Sequence, residues 1–252
     1  MTPPLLEVRG VTKQFGGLHV LRGVDLSIGA GELRCIIGPN GCGKTTLFNI
    51  ITGALPPTAG TVRFRGADIT GRAAHAIGRL GIARKFQVPG IYPTLAVAEN
   101  VEIPLLSRRG IAGPLSLLRA GARAAGRLHG LLTRFHLSPQ TRRAAGTLPH
   151  GQKQWLEIAM LIASEAQILL LDEPTAGMSA AETSATVELI RELQHEHAIA
   201  ALVIEHDMNF VRRLACPVVV MLRGTVLFEG GYAEVQAHPE VREAYLGHAA
   251  RG

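Results

Sequence analysis

Gly38-Pro39-Asn40-Gly41-Cys42-Gly43-Lys44-Thr45 follows directly on the apolar run Leu33–Ile37 and leads into Thr46, Leu47, Ile50 and Ile51. The spacing G-x-x-x-x-G-K-[ST] between an apolar strand and an amphipathic helix reads as a loop built to cradle phosphate. Its glycines leave backbone N–H groups free to converge on phosphate oxygens, and a helix beginning near Thr45 adds its positive dipole end to the same spot. Lys44 is spaced to reach the β- and γ-phosphates as a point charge, and the Thr45 hydroxyl to ligate Mg2+. A glycine-rich turn on any α/β protein shares the loop's composition but not its flanking strand and helix. The stretch therefore predicts a nucleoside triphosphate site on an α/β core.

Such a site also needs an acid at the carboxyl end of a neighbouring strand. Ile168-Leu169-Leu170-Leu171-Asp172-Glu173 has that form. Asp172 is expected to hold the Mg2+ shell. Glu173 is expected to face the γ-phosphate and to orient, or partly deprotonate, the attacking water. Taken alone, a strand that ends in acid is as often structural as functional; coupled to the phosphate loop, it gains a specific task.

Around these two motifs the chain reads as one α/β core with additions. Leu6–Phe15, Gly23–Ile28 and Thr61–Arg65 are short strands separated by Gly16-Gly17, Gly29-Ala30-Gly31 and Pro56-Pro57, which suggests a small antiparallel sheet. Residues from about 90 to 160 turn helical and rich in Ala, Leu and Arg. Alternation then resumes with a strand at Ile168–Leu171, a helix at Ala181–Glu196 and a strand at Ile199–Ile204. Val218–Leu222 and Thr225–Phe228 flank Arg223-Gly224 as a hairpin. No internal repeat is visible, and residues 1–252 are expected to form a single domain.

Composition sets the limits. With 252 residues, 47% hydrophobic and 18% charged, the chain can bury a sizeable core. Its three cysteines, Cys35, Cys42 and Cys216, are odd in number and widely spaced, as in a protein of a reducing compartment without a disulfide framework. No apolar stretch approaches the roughly 20 residues of a membrane span, and Met1-Thr2-Pro3-Pro4 does not resemble a secretory leader. The net charge of +6 is concentrated. Segment 107–150 holds eight arginines and no acid, so it carries +8 and leaves the remainder at −2. Two readings stay open: a solvated face on short helices, or a surface beside anionic head groups or an acidic partner. Aromatic interleaving of the kind that stacks bases is missing from this segment, so nucleic acid is not expected as a partner.

Further motifs lie between and beyond the first two. Leu148-Pro149-His150-Gly151-Gln152 resembles the signature loop of the ATP-binding-cassette family, usually Leu-Ser-Gly-Gly-Gln, and lies upstream of the strand and its acid pair as that family requires. Gln87 in Arg84-Lys85-Phe86-Gln87 resembles the family's glutamine loop. His206 resembles its switch histidine, and Phe15 its adenine-stacking aromatic. The likeness covers essentially the whole chain, with every expected motif in order.

It implies a fold: a P-loop NTPase core of the cassette type with a small antiparallel β subdomain and a helical subdomain over about 90–160. It implies roles as well. Gly38, Pro39, Asn40, Gly41, Cys42, Gly43, Lys44, Thr45 and Thr46 would bind ATP, with Phe15 stacked under adenine. Thr45, Gln87 and Asp172 would surround Mg2+, and Glu173, His206 and Gln87 would act on the γ-phosphate and water. Pro149, His150, Gly151 and Gln152, opening a helix with Trp155, Ile158, Ala159 and Ile162 on one stripe, would contact the ATP held by a second subunit docked head to tail. Two departures stand out. The signature serine is Pro149 here, tolerable within a helix's first turn, and Ala176-Gly177-Met178-Ser179 lacks the family's usual aspartate.

Finer resemblances lie in Arg84–Gln87, His150–Glu157, Glu173–Met178, Glu205–Met208 and Ala244–Gly247. These are similar to the branched-chain amino-acid uptake group, and within it His150 with Gln152-Lys153-Gln154-Trp155 is most similar to the urea-transporter ATPase subunit. That would imply a peripheral subunit on the cytoplasmic face of the inner membrane of a bacterium. It would serve permease subunits directly and a periplasmic binding protein indirectly, with urea, a short amide or a branched-chain amino acid as cargo. A soluble cassette ATPase, or a switch that clamps on ATP without turnover, is the alternative.

Overall fold

The computed structural model describes residues 3–85, 90–107 and 125–246. Two sheets organise them. Strand β1 (Leu6–Phe15) turns through Gly16-Gly17 into β2 (Leu18–Ile28), pairing Phe15 with Leu18 and Leu6 with Ile28. This second strand begins five residues before the Gly23 start that the sequence suggests. Gly23, at φ +95°, is a bulge within the strand and not its start. On the other side β1 pairs with β4 (Ala59–Phe64), which turns at Arg65-Gly66 into β5 (Ala67–Asp68), giving the order β2-β1-β4-β5. Gly60, at φ +91°, is required there: a Cβ on it would lie 2.5 Å from the Gly10 carbonyl oxygen of the facing strand.

The second sheet runs β10-β9-β3-β8-β7-β6. Its members are β3 (Leu33–Ile37), β6 (Ile82–Lys85), β7 (Ile168–Asp172), β8 (Ala200–Ile204), β9 (Val218–Leu222) and β10 (Thr225–Gly230). All pairings are parallel except β9 with β10, a hairpin closed by Arg223 and Gly224, both at positive φ. Every residue of β7 and β8 is buried, as expected of strands covered on both faces. Alternation along them feeds two cores. Leu170 and Leu202 pack with Ile36, Phe48, Val8 and Val62 towards the antiparallel sheet. Leu169, Leu171 and Val203 pack with Phe210, Ile158 and Leu193 towards the helices. Each such fully buried aliphatic side chain contributes about 1.5–3 kcal/mol.

Helix α1 (Lys44–Ile51) follows β3, and α2 (Ala74–Leu80) precedes β6. The helical part comprises α3 (Val97–Ser107), α4 (described over 125–134) and α5 (His150–Ala163), with α3 packed on α5. Asn100, wholly buried, accepts from the Tyr92 N–H at 2.7 Å and donates to the Ala96 carbonyl at 2.9 Å, fixing the turn into α3. Helix α6 (Ala180–His197) lies over β7 and β8, followed by α7 (Met208–Leu214), α8 (Tyr232–Ala237) and α9 (Pro239–Leu246). Of the eight arginines in 107–150, Arg108, Arg109, Arg119 and Arg123 lie outside the described residues. Arg127 and Arg134 form ion pairs with Glu165 and Glu196, and Arg142 and Arg143 are exposed. Those four fit a solvated face.

Candidate functional site

Parallel register brings three strand ends to one edge of the core. Ile36 of β3 lies beside Ile204 of β8, and Ile204 beside Asp172 of β7. The segments that follow, at 38–44, 205–206 and 173, therefore emerge together, where open α/β sheets bind their ligands.

The loop after β3 is shaped by close approach. A Cβ on Gly38 would stand 2.3 Å from the Met221 carbonyl oxygen and 2.7 Å from Cys42 Sγ; one on Gly43 would stand 2.5 Å from Leu21 Cδ2. Gly41 and Gly43 sit at φ +79° and +105°. Helix α1 starts at Lys44, one residue earlier than the sequence suggests, with Gly43 as N-cap and no side-chain cap. Its first amides, from Lys44, Thr45 and Thr46, are thus left without an acceptor from the helix itself. Lys44 Nζ donates to the carbonyls of Gly38 at 2.7 Å and Pro39 at 3.1 Å, which places the ammonium inside the loop. Converging amides and one ammonium fit a polyphosphate chain. The backbone of Pro39 and Asn40 forms the outer bend, and Thr45 is exposed at the helix start. Cys42 is buried with Sγ 3.8 Å from Lys44 Nζ. Burial pushes its thiol up despite the ammonium, so it stays protonated at neutral pH.

Facing this loop, Asp172 is almost wholly buried and accepts from Arg84 Nη2 at 2.9 Å. Arg84 also donates to Asn49 Oδ1 on α1 and lies 5.6 Å from the Phe48 ring. A carboxylate with one oxygen so committed has the other for a metal or its waters. Among the described residues no group of three or more His, Cys, Asp or Glu could hold a metal ion. A cation here would need the Thr45 hydroxyl and phosphate oxygens besides Asp172, the donor set that suits Mg2+.

Glu173 follows at φ +47°, an uncommon conformation for a residue with a side chain and one that costs about 1–3 kcal/mol. Its N–H donates to the Ile204 carbonyl at 2.9 Å, and its Oε1 stands 3.5 Å from His206 Nδ1. The two predicted catalytic side chains are thus brought together at the mouth, where the His206 side chain is 66% exposed. Gln87, the third, lies outside the described residues.

The sequence pattern assigns Glu205 no role at the site, yet it organises this edge. Buried at 1% exposure, its Oε1 accepts from the Thr175 hydroxyl at 2.6 Å and the Thr175 N–H at 3.2 Å, and its Oε2 from the His206 N–H at 3.2 Å. The available signal is its position: an acid directly after the wholly apolar strand Ala200–Ile204. A second unforeseen pair is Lys85 Nζ and Glu157, buried 3.9 Å apart. Burial holds the Lys85 ammonium below its ordinary range, an effect that Glu157 opposes. Glu157 Oε1 also accepts from the Gly90 N–H at 3.0 Å, so α5 grips both flanks of 86–89.

Phe15 stands at the tip of the β1–β2 hairpin, exposed, with Lys13 Nζ 5.0 Å from its ring. The same hairpin supplies Leu21 to the Gly43 contact, which sets Phe15 on the strand pair that borders the phosphate loop. Pro149 is the N-cap of α5 and not a first-turn residue. Its carbonyl accepts from the Lys153 N–H at 3.0 Å, and its missing N–H falls outside the helix. The amides of His150, Gly151 and Gln152 remain as the unpaired donors of that terminus. Of the predicted stripe on α5, Ile158, Ala159 and Ile162 are buried and Trp155 is packed partly against them.

Residues 21–176 match the ABC transporter family. The chain belongs to that family. As an ATP-binding cassette of the ABC transporter family it binds nucleotide and hydrolyses ATP. Residues 225–251 match a second family, described as the branched-chain amino acid ATP-binding cassette transporter. The chain is 37% identical over 255 residues to the high-affinity branched-chain amino acid transport ATP-binding protein BraF of Pseudomonas aeruginosa, covering 99% of this chain and 100% of the relative. Among solved structures it is similar to the ADP conformation of an ATP-binding cassette of an ABC transporter, with TM-score 0.82, 29% identity and coverage of 98% of this chain and 100% of that one. It is also similar to a dimeric post-hydrolysis cassette bound to ADP and Pi, with TM-score 0.77, 27% identity and coverage of 90% and 98%. No helix among the described residues is long and apolar enough to cross a membrane. The cassette fold accounts for both sheets and for the helical part between β6 and β7.

Proposed function

We propose that this cassette energises uptake of a small polar solute, a branched-chain amino acid in the first instance, through separate permease subunits, and that it works as a head-to-tail pair. The observation that carries the reading is the meeting of Lys44, Asp172, Glu173 and His206 at adjoining strand ends, with the amides of α5 presented apart from them. The match of residues 225–251 and the likeness to BraF support the cargo and the permeases; the dimeric cassette supports the pair. The chain would act as a single domain at the cytoplasmic face of the membrane, with a periplasmic binding protein engaged only through the permeases. The resemblance of His150–Trp155 to a urea-transporter subunit keeps urea or a short amide as a second cargo.

In this reading the loop amides and Lys44 bind the triphosphate, and Phe15 stacks on its adenine. Bound Mg2+, held by Thr45, Asp172 and Gln87, would neutralise phosphate charge. Glu173 takes the proton of the attacking water as oxygen bonds to the γ-phosphorus and the bond to ADP breaks. His206 donates an N–H to the γ-phosphate oxygens. Across the pair, the amides of His150, Gly151 and Gln152 face the same phosphate, with Pro149 capping them.

Glu173→Gln tests the reading. It should retain ATP binding and lose turnover by about 100-fold or more. Unchanged turnover would remove Glu173 from the chemistry. Co-purification with permease subunits from detergent-solubilised membranes separates the transporter from a soluble ATPase, and turnover by the wild-type pair separates a motor from an ATP-clamped switch. Uptake of labelled leucine against labelled urea assigns the cargo.

A further inference from the structure

We propose that His150 is a positioning residue that locks the loop opening α5 to the loop leaving β7, so that each subunit carries one rigid body between two nucleotide sites. The imidazole belongs to an exposed residue, yet it is turned back onto the chain. Its Nε2 lies 3.0 Å from the Ala176 carbonyl oxygen, three residues beyond Glu173. A carbonyl only accepts, so Nε2 carries the proton. Gln154, one helical turn further on and almost wholly buried, has its amide end 3.2 Å from the same nitrogen. With Nε2 protonated, the Gln154 amide is assigned with its oxygen towards the ring, since two donors cannot face each other. The imidazole N–H is then shared between Ala176 and Gln154.

Two further contacts reinforce the lock from both sides. Gly177, at φ +73°, leaves the ring its seat: a Cβ there would stand 3.2 Å from His150 Cδ2 and 3.3 Å from Nε2. In return, the Glu182 carboxylate lies on Gly151, with Oε1 2.2 Å from where a Cβ would be. That carboxylate is itself held by the Ser179 N–H at 2.9 Å and the Ser179 hydroxyl at 2.8 Å. The path back to Glu173 is short and closed by the Ala176 N–H donating to the Glu173 carbonyl at 3.2 Å. Backbone amides at 150–152 and the Glu173 carboxylate thus move together.

The functional consequence rests on the paired reading above, in which those amides serve the partner's nucleotide while Glu173 serves its own. A tie between them makes closure at one site favour closure at the other, so His150 sets cooperativity and not affinity. ATP turnover is measured against ATP concentration for the wild type, His150→Ala and His150→Gln. Glutamine places an N–H donor at nearly the same distance from Cβ as Nε2. His150→Ala should lower kcat about tenfold, bring the Hill coefficient towards 1 and leave the half-saturating ATP concentration within about twofold, and His150→Gln should restore both. An unaltered His150→Ala enzyme, a His150→Gln enzyme no better than His150→Ala, or a wild-type Hill coefficient of 1 overturns the proposal. Wild-type protein that does not hydrolyse ATP at all instead overturns the ATPase reading on which it rests.

Discussion

Arg84 and Asp172 form an ion pair of 2.9 Å with both side chains buried, on neighbouring parallel strands β6 and β7. The pair engages one oxygen of the acid expected to approach the metal, and Arg84 extends it to Asn49 on the phosphate-loop helix. One guanidinium therefore joins the two halves of the nucleotide site. A buried pair is costly to break from one side, because the charge left behind has neither water nor partner. Arg84→Met should destabilise the fold by about 3–5 kcal/mol, read from the denaturant midpoint, and should weaken ATP binding. A midpoint shift under about 1 kcal/mol would show that water reaches Asp172 freely.

Cys42 offers a direct probe of the phosphate loop. Burial raises its thiol above the ordinary range, and Lys44 only partly offsets this. The thiolate is the nucleophile, so alkylation should be slow at pH 7 and accelerate as the pH rises towards and beyond 9. Saturating ATP should suppress labelling, because the loop amides on either side of Cys42 are then engaged. Mass spectrometry of the labelled peptide reads both effects. Full labelling of Cys42 with ATP turnover intact would disconnect that side chain from the nucleotide.

Ser179 caps α6 reciprocally with Glu182: the Ser179 hydroxyl accepts from the Glu182 N–H, and the Glu182 carboxylate accepts from the Ser179 N–H at 2.9 Å. Ser179→Ala should cost about 1 kcal/mol of stability. The hydrogen bonds from Ser179 hold the Glu182 carboxyl below its ordinary value. A depressed acid stabilises the fold above its unfolded value and loses that contribution as pH falls through the folded one. The Ser179 N–H, the larger cause, survives in Ser179→Ala. Only the part of the deficit due to the hydroxyl's bond to the carboxylate should therefore be full at pH 7 and shrink in acid below about pH 4.5, where the unfolded carboxyl already binds its proton. Denaturation at the two pH values measures it.

What the chain shows in one dimension is its local grammar. The phosphate loop, the apolar strand ending at Asp172-Glu173 and the Arg223-Gly224 hairpin are legible because each is fixed by neighbours in sequence. The start of β2 is not, since Gly23 signals a break where the pairing of Phe15 with Leu18 makes a bulge. Pro149 reads as a first-turn residue, but the helix begins one position later. The pairings of Arg84, Lys85, Glu157 and Glu205 escape notice for another reason. Their partners lie 30 to 88 residues away, as in Arg84 with Asp172 and Thr175 with Glu205, and only the sheet order brings them together. Buried charge is a tertiary property, whereas glycine spacing is a local one.

Glu205 is the strongest case of such a hidden residue, because three hydrogen bonds end on it and two protein segments depend on them. Through Thr175 it holds the turn that keeps Glu173 in its strained conformation, and through the His206 N–H it holds the histidine's backbone. Glu205→Gln keeps the shape and one carbonyl acceptor but turns an amide donor towards an N–H or hydroxyl that needs an acceptor. The charge-assisted bonds lost are each worth about 1.5–3 kcal/mol. Some of that loss should appear as reduced stability, about 1–2 kcal/mol by denaturant midpoint, and the rest as misplacement of Glu173 and His206. Turnover should fall about tenfold while the half-saturating ATP concentration stays nearly constant, because Lys44 and the loop amides that hold the nucleotide are untouched. A variant that loses ATP affinity in proportion to its rate would instead place Glu205 in binding.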